Sequence, residues 1–169
     1  TATVSASATP GGSVVDKGSL GYQDLRGGRL NSNETNSWQF TVEAGDAITI
    51  SVASRAGTDV VLSVLDPGGN RVIEQNDSGP GQIERIEGFE AQGSGGYRVV
   101  ISEASAAETY YALLILNDNY DEYYPFVFAG LLSYGNNVTS NMAEATDHFW
   151  FFFGNAQDVV NINVAPTDQ

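Results

Sequence analysis

The sequence predicts an all-β protein, an antiparallel β-sandwich or jelly-roll domain followed by an incomplete second copy of the same fold. Three observations lead to this prediction. Short segments rich in Val, Ile, Tyr and Phe alternate between apolar and polar residues, clusters of Gly, Asn, Asp and Pro separate them, and one segment recurs late in the chain. Short strands with frequent turns are typical of sandwiches and jelly rolls.

Composition narrows the class of protein. The chain has 169 residues, no cysteine, 7 basic and 21 acidic residues, and a net charge of −14. This charge disfavours nucleic acid and anionic membrane surfaces as partners. No apolar run approaches the roughly 18 residues of a membrane span. Because the chain has no cysteine, no disulfide can form, and stability must come from packing, sheet hydrogen bonds, bound ions or partners. We expect an extracellular or cell-surface location.

The strands follow from alternation and turn signals. In "DAITISVAS", Ile48, Ile50 and Val52 point to one side of a strand, and the same alternation is present in "YRVVIS" and "TYYALLIL". Between "VVLSVLD" and "NRVIEQ", the Asp66–Gly69 stretch combines a proline with two glycines. Two strands must therefore reverse direction there.

Residues 35–52 and residues 147–164 have similar sequences. "TNSWQFTVEAGDAITISV" and "DHFWFFFGNAQDVVNINV" align without a gap at an offset of 112. The matched pairs are Trp38 and Trp150, Phe40 and Phe152, Ala44 and Ala156, Asp46 and Asp158, Ile50 and Ile162, and Val52 and Val164. Upstream, we align "LRGG" (25–28) with "LSYG" (132–135), which gives the second copy a longer connection. Such an internal sequence repeat predicts two tandem copies of one domain.

The first copy resembles the bacterial pre-peptidase C-terminal domain family, which includes collagenase collagen-binding domains. The resemblance is carried by Gly28–Leu30, Trp38, Phe40, Ala44–Asp46, Leu65–Val72, Asn76, Asp77, Gly95–Ile101 and the final "YALLIL". It implies a secreted, non-catalytic β-sandwich of about 100 residues that binds, shields or assembles.

These observations divide the chain into three parts. Residues 1–14 are predicted to be an extended arm, residues 15–117 a complete sandwich, and residues 118–169 the first half of a second sandwich that needs complementation. We expect a non-catalytic extracellular assembly protein, a subunit of a filament, surface layer or multi-chain complex joined by strand complementation. The alternative is an accessory module that binds protein or polysaccharide and is excised from a secreted hydrolase.

The assembly interface is predicted from apolar faces. Trp38 and Trp150 occupy equivalent core positions, so Phe149, Phe151 and Phe153 face the other side of their strand and need a cover. The cover could be another polypeptide or subunit, or the first domain; a trimmed, frayed tail is the third reading. In the N-terminal arm, Ala2, Val4, Ala6 and Ala8 alternate with Ser and Thr. This arm is either a donated strand or a flexible linker.

A calcium site is the one cofactor that the sequence suggests. Oxygen ligands crowd "NDNYDEYY", and the resemblance adds the loop before the second aromatic strand. The candidate ligands are Asn117, Asp118, Asn119, Asp121, Glu122, Glu144 and Asp147. A solvated acidic linker is the competing interpretation.

Catalysis has little support. The single histidine, His148, aligns with Asn36 at a strand edge, and no G-x-S-x-G context accompanies any serine. Three N-x-S/T sequons, at Asn33, Asn76 and Asn137, are candidate glycosylation sites in turn-like surroundings. They matter only in a host that glycosylates.

Overall fold

The computed structural model of the protein describes residues 12–119, 126–141 and 147–166. All regular structure in these residues is β. The strands are β1 (Ser13–Leu20), β2 (Leu25–Leu30), β3 (Glu34–Val42), β4 (Ala47–Ser54), β5 (Val60–Leu65), β6 (Arg71–Gln75), β7 (Ile83–Glu90), β8 (Gly95–Glu103), β9 (Thr109–Asn117), β10 (Phe126–Leu132) and β11 (Asp147–Phe152). The prediction of an all-β sandwich is confirmed.

Two sheets face each other to form the sandwich. The first sheet has the strand order β1-β3-β8-β5-β6, and the second has the order β2-β9-β4-β7. All neighbours pair antiparallel except β1 and β3, which run parallel. The first strand begins at Ser13, two residues before the domain boundary expected from the sequence.

The core lies between the sheets, where the alternating side chains meet. Ile48, Ile50 and Val52 of β4 and Leu113 and Ile115 of β9 have no exposed surface. The predicted core position of Trp38 is correct: its indole Nε1 donates a hydrogen bond of 2.8 Å to the Tyr111 hydroxyl. Burial raises the pKa of Tyr111 to about 12, so this hydroxyl stays protonated.

The predicted reversal at residues 66–69 is present as the β5–β6 hairpin. The Gly69 N–H donates to the Asp66 carbonyl at 2.9 Å, and Gly69 has a φ of 82°. The pKa of Asp66 is lowered by hydrogen bonds from the Asn70 side chain and backbone N–H. The glycine supplies the left-handed conformation that a side chain disfavours.

Strand β9 departs from the predicted alternation. Its outer residues Ala112, Leu114 and Leu116 are as buried as its core residues. They pack with Ala53 against Phe128 of β10, and Leu131 and Phe151 lie beside this cluster. A third layer therefore covers the outer face of the second sheet. This layer is the C-terminal ribbon, the parallel pair formed by β10 and β11.

Glu103 holds the β8–β9 connection. Its carboxylate accepts hydrogen bonds from Ala107 N (2.7 Å), Ser105 N (2.8 Å), the Ser105 hydroxyl (2.9 Å) and Asp59 N (3.3 Å). Burial raises the pKa of Glu103, but these hydrogen bonds outweigh it and leave the pKa below its usual value. The charged form is thus the one that the fold stabilises.

We expect Glu103→Gln to lower the free energy of unfolding by about 1–3 kcal/mol at pH 7, because an amide keeps one acceptor and loses the charge. A depressed folded-state pKa contributes stability above the unfolded value of about 4.3, and this stability is lost as pH falls through the folded-state pKa. The deficit should therefore shrink at pH 3 in urea titrations. Glu87→Gln, at a side chain that is 71% exposed, is the control. An equal deficit at both pH values would contradict the assignment.

Gly28 provides a second test of the packing. A Cβ built on Gly28 would lie 2.2 Å from the Tyr111 ring, which has no exposed surface and no room to retreat. Gly28→Ala should destabilise the sandwich by about 1–3 kcal/mol through overpacking, measured by thermal or urea unfolding. Gly93→Ala is the matched control, since no heavy atom lies within 4 Å of its built Cβ. Equal stability of the two variants would refute this account of β2.

Candidate functional site

The C-terminal ribbon repeats the geometry of β1 and β3. Leu20 pairs with Phe40 in the first pair of strands, and Leu132 pairs with Phe152 in the second. Both registers shift at one place, between Asp16 and Ser19 in β1 and between Phe128 and Gly130 in β10. Gly18 and Gly130 lie at these shifts with φ values of 91° and 129°. The corresponding residues Leu20 and Leu132, Phe40 and Phe152, and Gly18 and Gly130 are each separated by 112 positions.

The turns that follow also match. The Tyr22 hydroxyl donates to Asp46 Oδ2 at 2.9 Å, and the Tyr134 hydroxyl donates to Asp158 Oδ2 at 2.8 Å. Each aspartate also accepts a backbone N–H, from Glu43 at 2.9 Å and from Asn155 at 2.7 Å. These backbone hydrogen bonds are the main reason why the pKa of each aspartate is lowered.

The same geometry corrects one sequence alignment. Matching "LRGG" to "LSYG" placed Gly135 opposite Gly28, with a longer loop in the second copy. The structure places Tyr134 opposite Tyr22, and the hydrogen bonds from Asp24 N to Gly21 O and from Asn136 N to Ser133 O correspond. The offset therefore continues upstream without a longer loop. The alignment was wrong because a shared Leu and Gly outweighed the shared tyrosine.

The two faces of β11 have different environments. Phe151 packs beside the buried cluster on the sandwich, and Phe153 lies 4.8 Å from the Tyr110 ring, between ring centroids. Phe151 and Phe153 also lie close to Gly27, where a Cβ would come within 2.8 Å of the Phe153 ring. Phe149 is exposed. Two of the three predicted interface phenylalanines thus contact the first domain.

A cleft opens where the ribbon meets the sandwich. Arg55, Tyr110, Tyr134, Phe153 and Asn155 line it. Arg29 and Arg55 each lie 5.7 Å from the centroid of Tyr110, and Arg29 also pairs with Glu108 at 2.8 Å. The hydrogen bond with Glu108 raises the pKa of Arg29. The cleft therefore combines the rings of Tyr110, Tyr134 and Phe153 with the guanidinium of Arg55 and the amide of Asn155.

The predicted calcium ligands lie only partly within the described residues. Asn119 Oδ1 accepts from Ala47 N at 2.6 Å, Asp118 Oδ2 accepts from the Thr49 hydroxyl at 2.9 Å, and Asn117 Oδ1 accepts from Asn119 N at 2.9 Å. These three residues fasten the end of β9 to β4. Asp121, Glu122 and Glu144 and the side chain of Asp147 lie outside the described residues, as do Ala2, Val4, Ala6 and Ala8. In the described part of the chain, no group of three acidic, histidine or cysteine side chains is placed to hold a metal. The calcium site stays a prediction.

The remaining candidate sites are His148 and the three glycosylation sequons. His148 Nδ1 lies 2.7 Å from the Ser140 hydroxyl, and among the described hydrogen bonds none joins this ring to a carboxylate that could complete a triad. Asn33, Asn76 and Asn137 are exposed, so their sequons stay predictions of modification. Within residues 12–119, 126–141 and 147–166, no helix is long and apolar enough to cross a bilayer.

Residues 34–114 match the sequence model of the bacterial pre-peptidase C-terminal domain. These residues are therefore similar to that family, which comprises non-catalytic domains found in secreted bacterial peptidases. The resemblance seen in the sequence is confirmed.

Three solved structures are similar. The pre-peptidase C-terminal domain of collagenase from Bacillus anthracis shares 18% identity over 62% of this chain and 95% of its own, with a TM-score of 0.49. PliG, a periplasmic inhibitor of g-type lysozyme, gives 16% identity, coverages of 60% and 99% and a TM-score of 0.41 for the Aeromonas hydrophila protein. The Salmonella Typhimurium PliG shares 12% identity over 58% of this chain and 96% of its own, with a TM-score of 0.40. No curated protein sequence matches.

We expect Phe153→Ala to loosen the ribbon, because it removes the contacts with Tyr110 and Gly27. A loss of about 1.4 kcal/mol corresponds to roughly tenfold faster amide exchange in β10 and β11, measured by hydrogen–deuterium exchange. Amides of β3 and β8 should keep their rates. Phe152→Ala is the control, since this ring is 41% exposed and lies on the other face. If both variants accelerated amide exchange equally, the contact of Phe153 with the sandwich would not be what stabilises the ribbon.

Proposed function

We propose that this protein is an accessory binding module of a secreted hydrolase, gripping protein or polysaccharide through the cleft beside Tyr110. The observation that carries the proposal is the family match over residues 34–114, which covers most of a complete sandwich. This match favours the accessory module over the filament subunit, the other function that the sequence predicts.

The chemistry of the cleft supports this proposal. The protein has only 7 Lys and Arg residues, yet Arg29 and Arg55 each lie 5.7 Å from the ring centroid of Tyr110, and Arg55 lines the cleft. A guanidinium beside an aromatic face can donate hydrogen bonds to carbonyl or hydroxyl oxygens while the ring stacks on an apolar face. Peptide chains and sugar rings both present such mixed surfaces.

The second domain is also part of the proposal. Residues 118–169 contain the first half of another sandwich, with β10, β11 and residues 158–166 in the roles of β1, β3 and β4. The matching registers, the matching glycines and the repeated Tyr–Asp hydrogen bond support this interpretation. The arm at residues 1–14 and the calcium site are not needed for it.

Retention on insoluble matrices tests the function. The protein should be retained on fibrillar collagen or on a polysaccharide such as chitin or cellulose, and Arg55→Gln should weaken retention about tenfold, equivalent to about 1.4 kcal/mol. Arg98→Gln makes the same charge change in the other sheet and should bind normally.

Two results would overturn the proposal. A folded protein that none of these matrices retains would remove the binding function. Retention that Arg98→Gln abolishes and Arg55→Gln leaves intact would place binding on the opposite face and exclude the cleft.

A further inference from the structure

Arg55 is a cation without an acidic partner in a strongly acidic protein. The chain has 21 Asp and Glu residues against 7 Lys and Arg residues. Other arginines pair with carboxylates: Arg26 with Asp24, Arg29 with Glu108, Arg71 with Glu74 and Arg85 with Glu87. In the part of the chain that the structure describes, no carboxylate lies within ion-pair distance of Arg55. Its guanidinium, 5.7 Å from the Tyr110 centroid, can therefore pair with a carboxylate that a ligand brings.

The cleft beside Tyr110 does not depend on where the second sandwich ends. Phe153 and Asn155 form its wall on the side of the C-terminal ribbon, and at the offset of 112 their counterparts are Thr41 and Glu43. Thr41 and Glu43 are both exposed, although the sandwich around them is complete. Strands that complete the second sandwich would therefore cover the opposite face of β11 and leave this wall open.

The other groups in the cleft indicate what accompanies the carboxylate. The Asn155 Nδ2 donates to Asp158 Oδ2 at 3.2 Å, so the Asn155 Oδ1 is the atom left to accept a hydrogen bond from a ligand. Asp158 Oδ2 also accepts from the Tyr134 hydroxyl at 2.8 Å and from the Asn155 backbone N–H at 2.7 Å, so the turn already holds this carboxylate. Leu131 and Phe153 add apolar walls. A cation, an amide acceptor and apolar walls match the carboxylate, the N–H and the side chain of the last residue of a polypeptide.

The net charge favours a single carboxylate over a polyanion. At −14, the protein repels a polymer that carries many negative charges, such as a glycan of uronic acids. A polypeptide terminus brings one carboxylate, and at physiological salt the repulsion from charges farther away than about 8 Å is largely screened. A neutral glycan offers no charge with which Arg55 could pair.

We propose that the cleft captures the carboxyl terminus of a polypeptide. Arg55 holds the terminal carboxylate, Asn155 Oδ1 accepts the N–H of the last residue, and Leu131 and Phe153 contact its apolar side chain. This inference rests on the proposed function and narrows its ligand to protein ends. Hydrolysis of a peptide bond leaves a new carboxyl terminus at each cut, so a module with this cleft binds chains that a peptidase has already cleaved.

A matched pair of peptides tests the site on the intact chain. The probes are acetyl-Gly-Ala-Gly-Leu with a free carboxyl terminus and the same peptide with a terminal carboxamide, titrated by NMR. We expect the carboxylate form to bind at least about tenfold more tightly, because the carboxamide has no charge for the guanidinium. The side-chain amide signal of Asn155 should shift on binding. Added salt should reduce the difference between the peptides, since Arg55 is exposed.

Substitutions locate the carboxylate. In Arg55→Gln, both peptides should bind with the Kd that the carboxamide has in the parent protein. Arg55→Lys keeps the charge and loses the paired hydrogen bonds of the guanidinium, so part of the preference should remain. Arg98→Gln, in the other sheet, is the matched control and should keep the whole preference. Both arginines are exposed, so the melting temperature should not change.

Three outcomes would overturn the proposal. The carboxamide could bind as tightly as the carboxylate, Arg55→Gln could keep the preference, or polygalacturonate could bind in an Arg55-dependent way while neither peptide binds. The last outcome would make an acidic glycan the ligand. Retention on collagen or chitin without a carboxylate preference would remove this inference and leave the accessory module standing, so the two failures are distinguishable.

Discussion

The architecture depends on the need to bury β9 on both faces. Leu113 and Ile115 point into the sandwich, and Leu114 and Leu116 point out of it, yet all four are nearly inaccessible. An antiparallel sheet can leave one face to water only when that face is polar, and this one is apolar. The outer face must therefore be covered, and Phe128 and Leu131 of β10 provide the cover. The ribbon is thus part of the packing of the first domain.

This requirement explains how the two similar sequence segments differ. Ser37, Gln39 and Thr41 occupy the outer positions of β3, and Phe149, Phe151 and Phe153 occupy the equivalent positions at β11. The inner positions keep their tryptophan and their aromatic partner. The two segments therefore differ most on the face that meets the sandwich at β11, while both keep the tryptophan and the aromatic residue two positions later on the opposite face. A strand apolar on both sides at residues 149–153 is the direct result.

Much of this fold could be predicted from the sequence, and the failures have physical reasons. The Asp66–Gly69 hairpin follows from turn chemistry, and the core positions of β4 follow from alternation. β10 was missed because it shares little chemistry with β1 beyond the glycine at the register shift and the leucine two residues later. Continuing the offset of 112 upstream would have found it. The parallel pairing of β1 with β3 could not be predicted, since alternation carries no information on strand direction. Nor could sequence show that Asn117 and Asn119 accept backbone hydrogen bonds from Asn119 and Ala47 at the end of β9.

The parallel pair joined by a tyrosine–aspartate hydrogen bond has a consequence for how the first domain is made. Trp38 pairs with Val99, 61 residues later, so a ribosome delivers β1, β3 and β4 well before their antiparallel neighbours exist. At about 5–20 residues per second, the delay lasts roughly 3–12 seconds. In the C-terminal ribbon, β10 and β11 hold the same parallel register and the same tyrosine–aspartate turn while they are packed on the completed sandwich. The nascent first domain has no completed sandwich to pack against, so the core residues of β3 and β4 stay exposed to solvent throughout this delay.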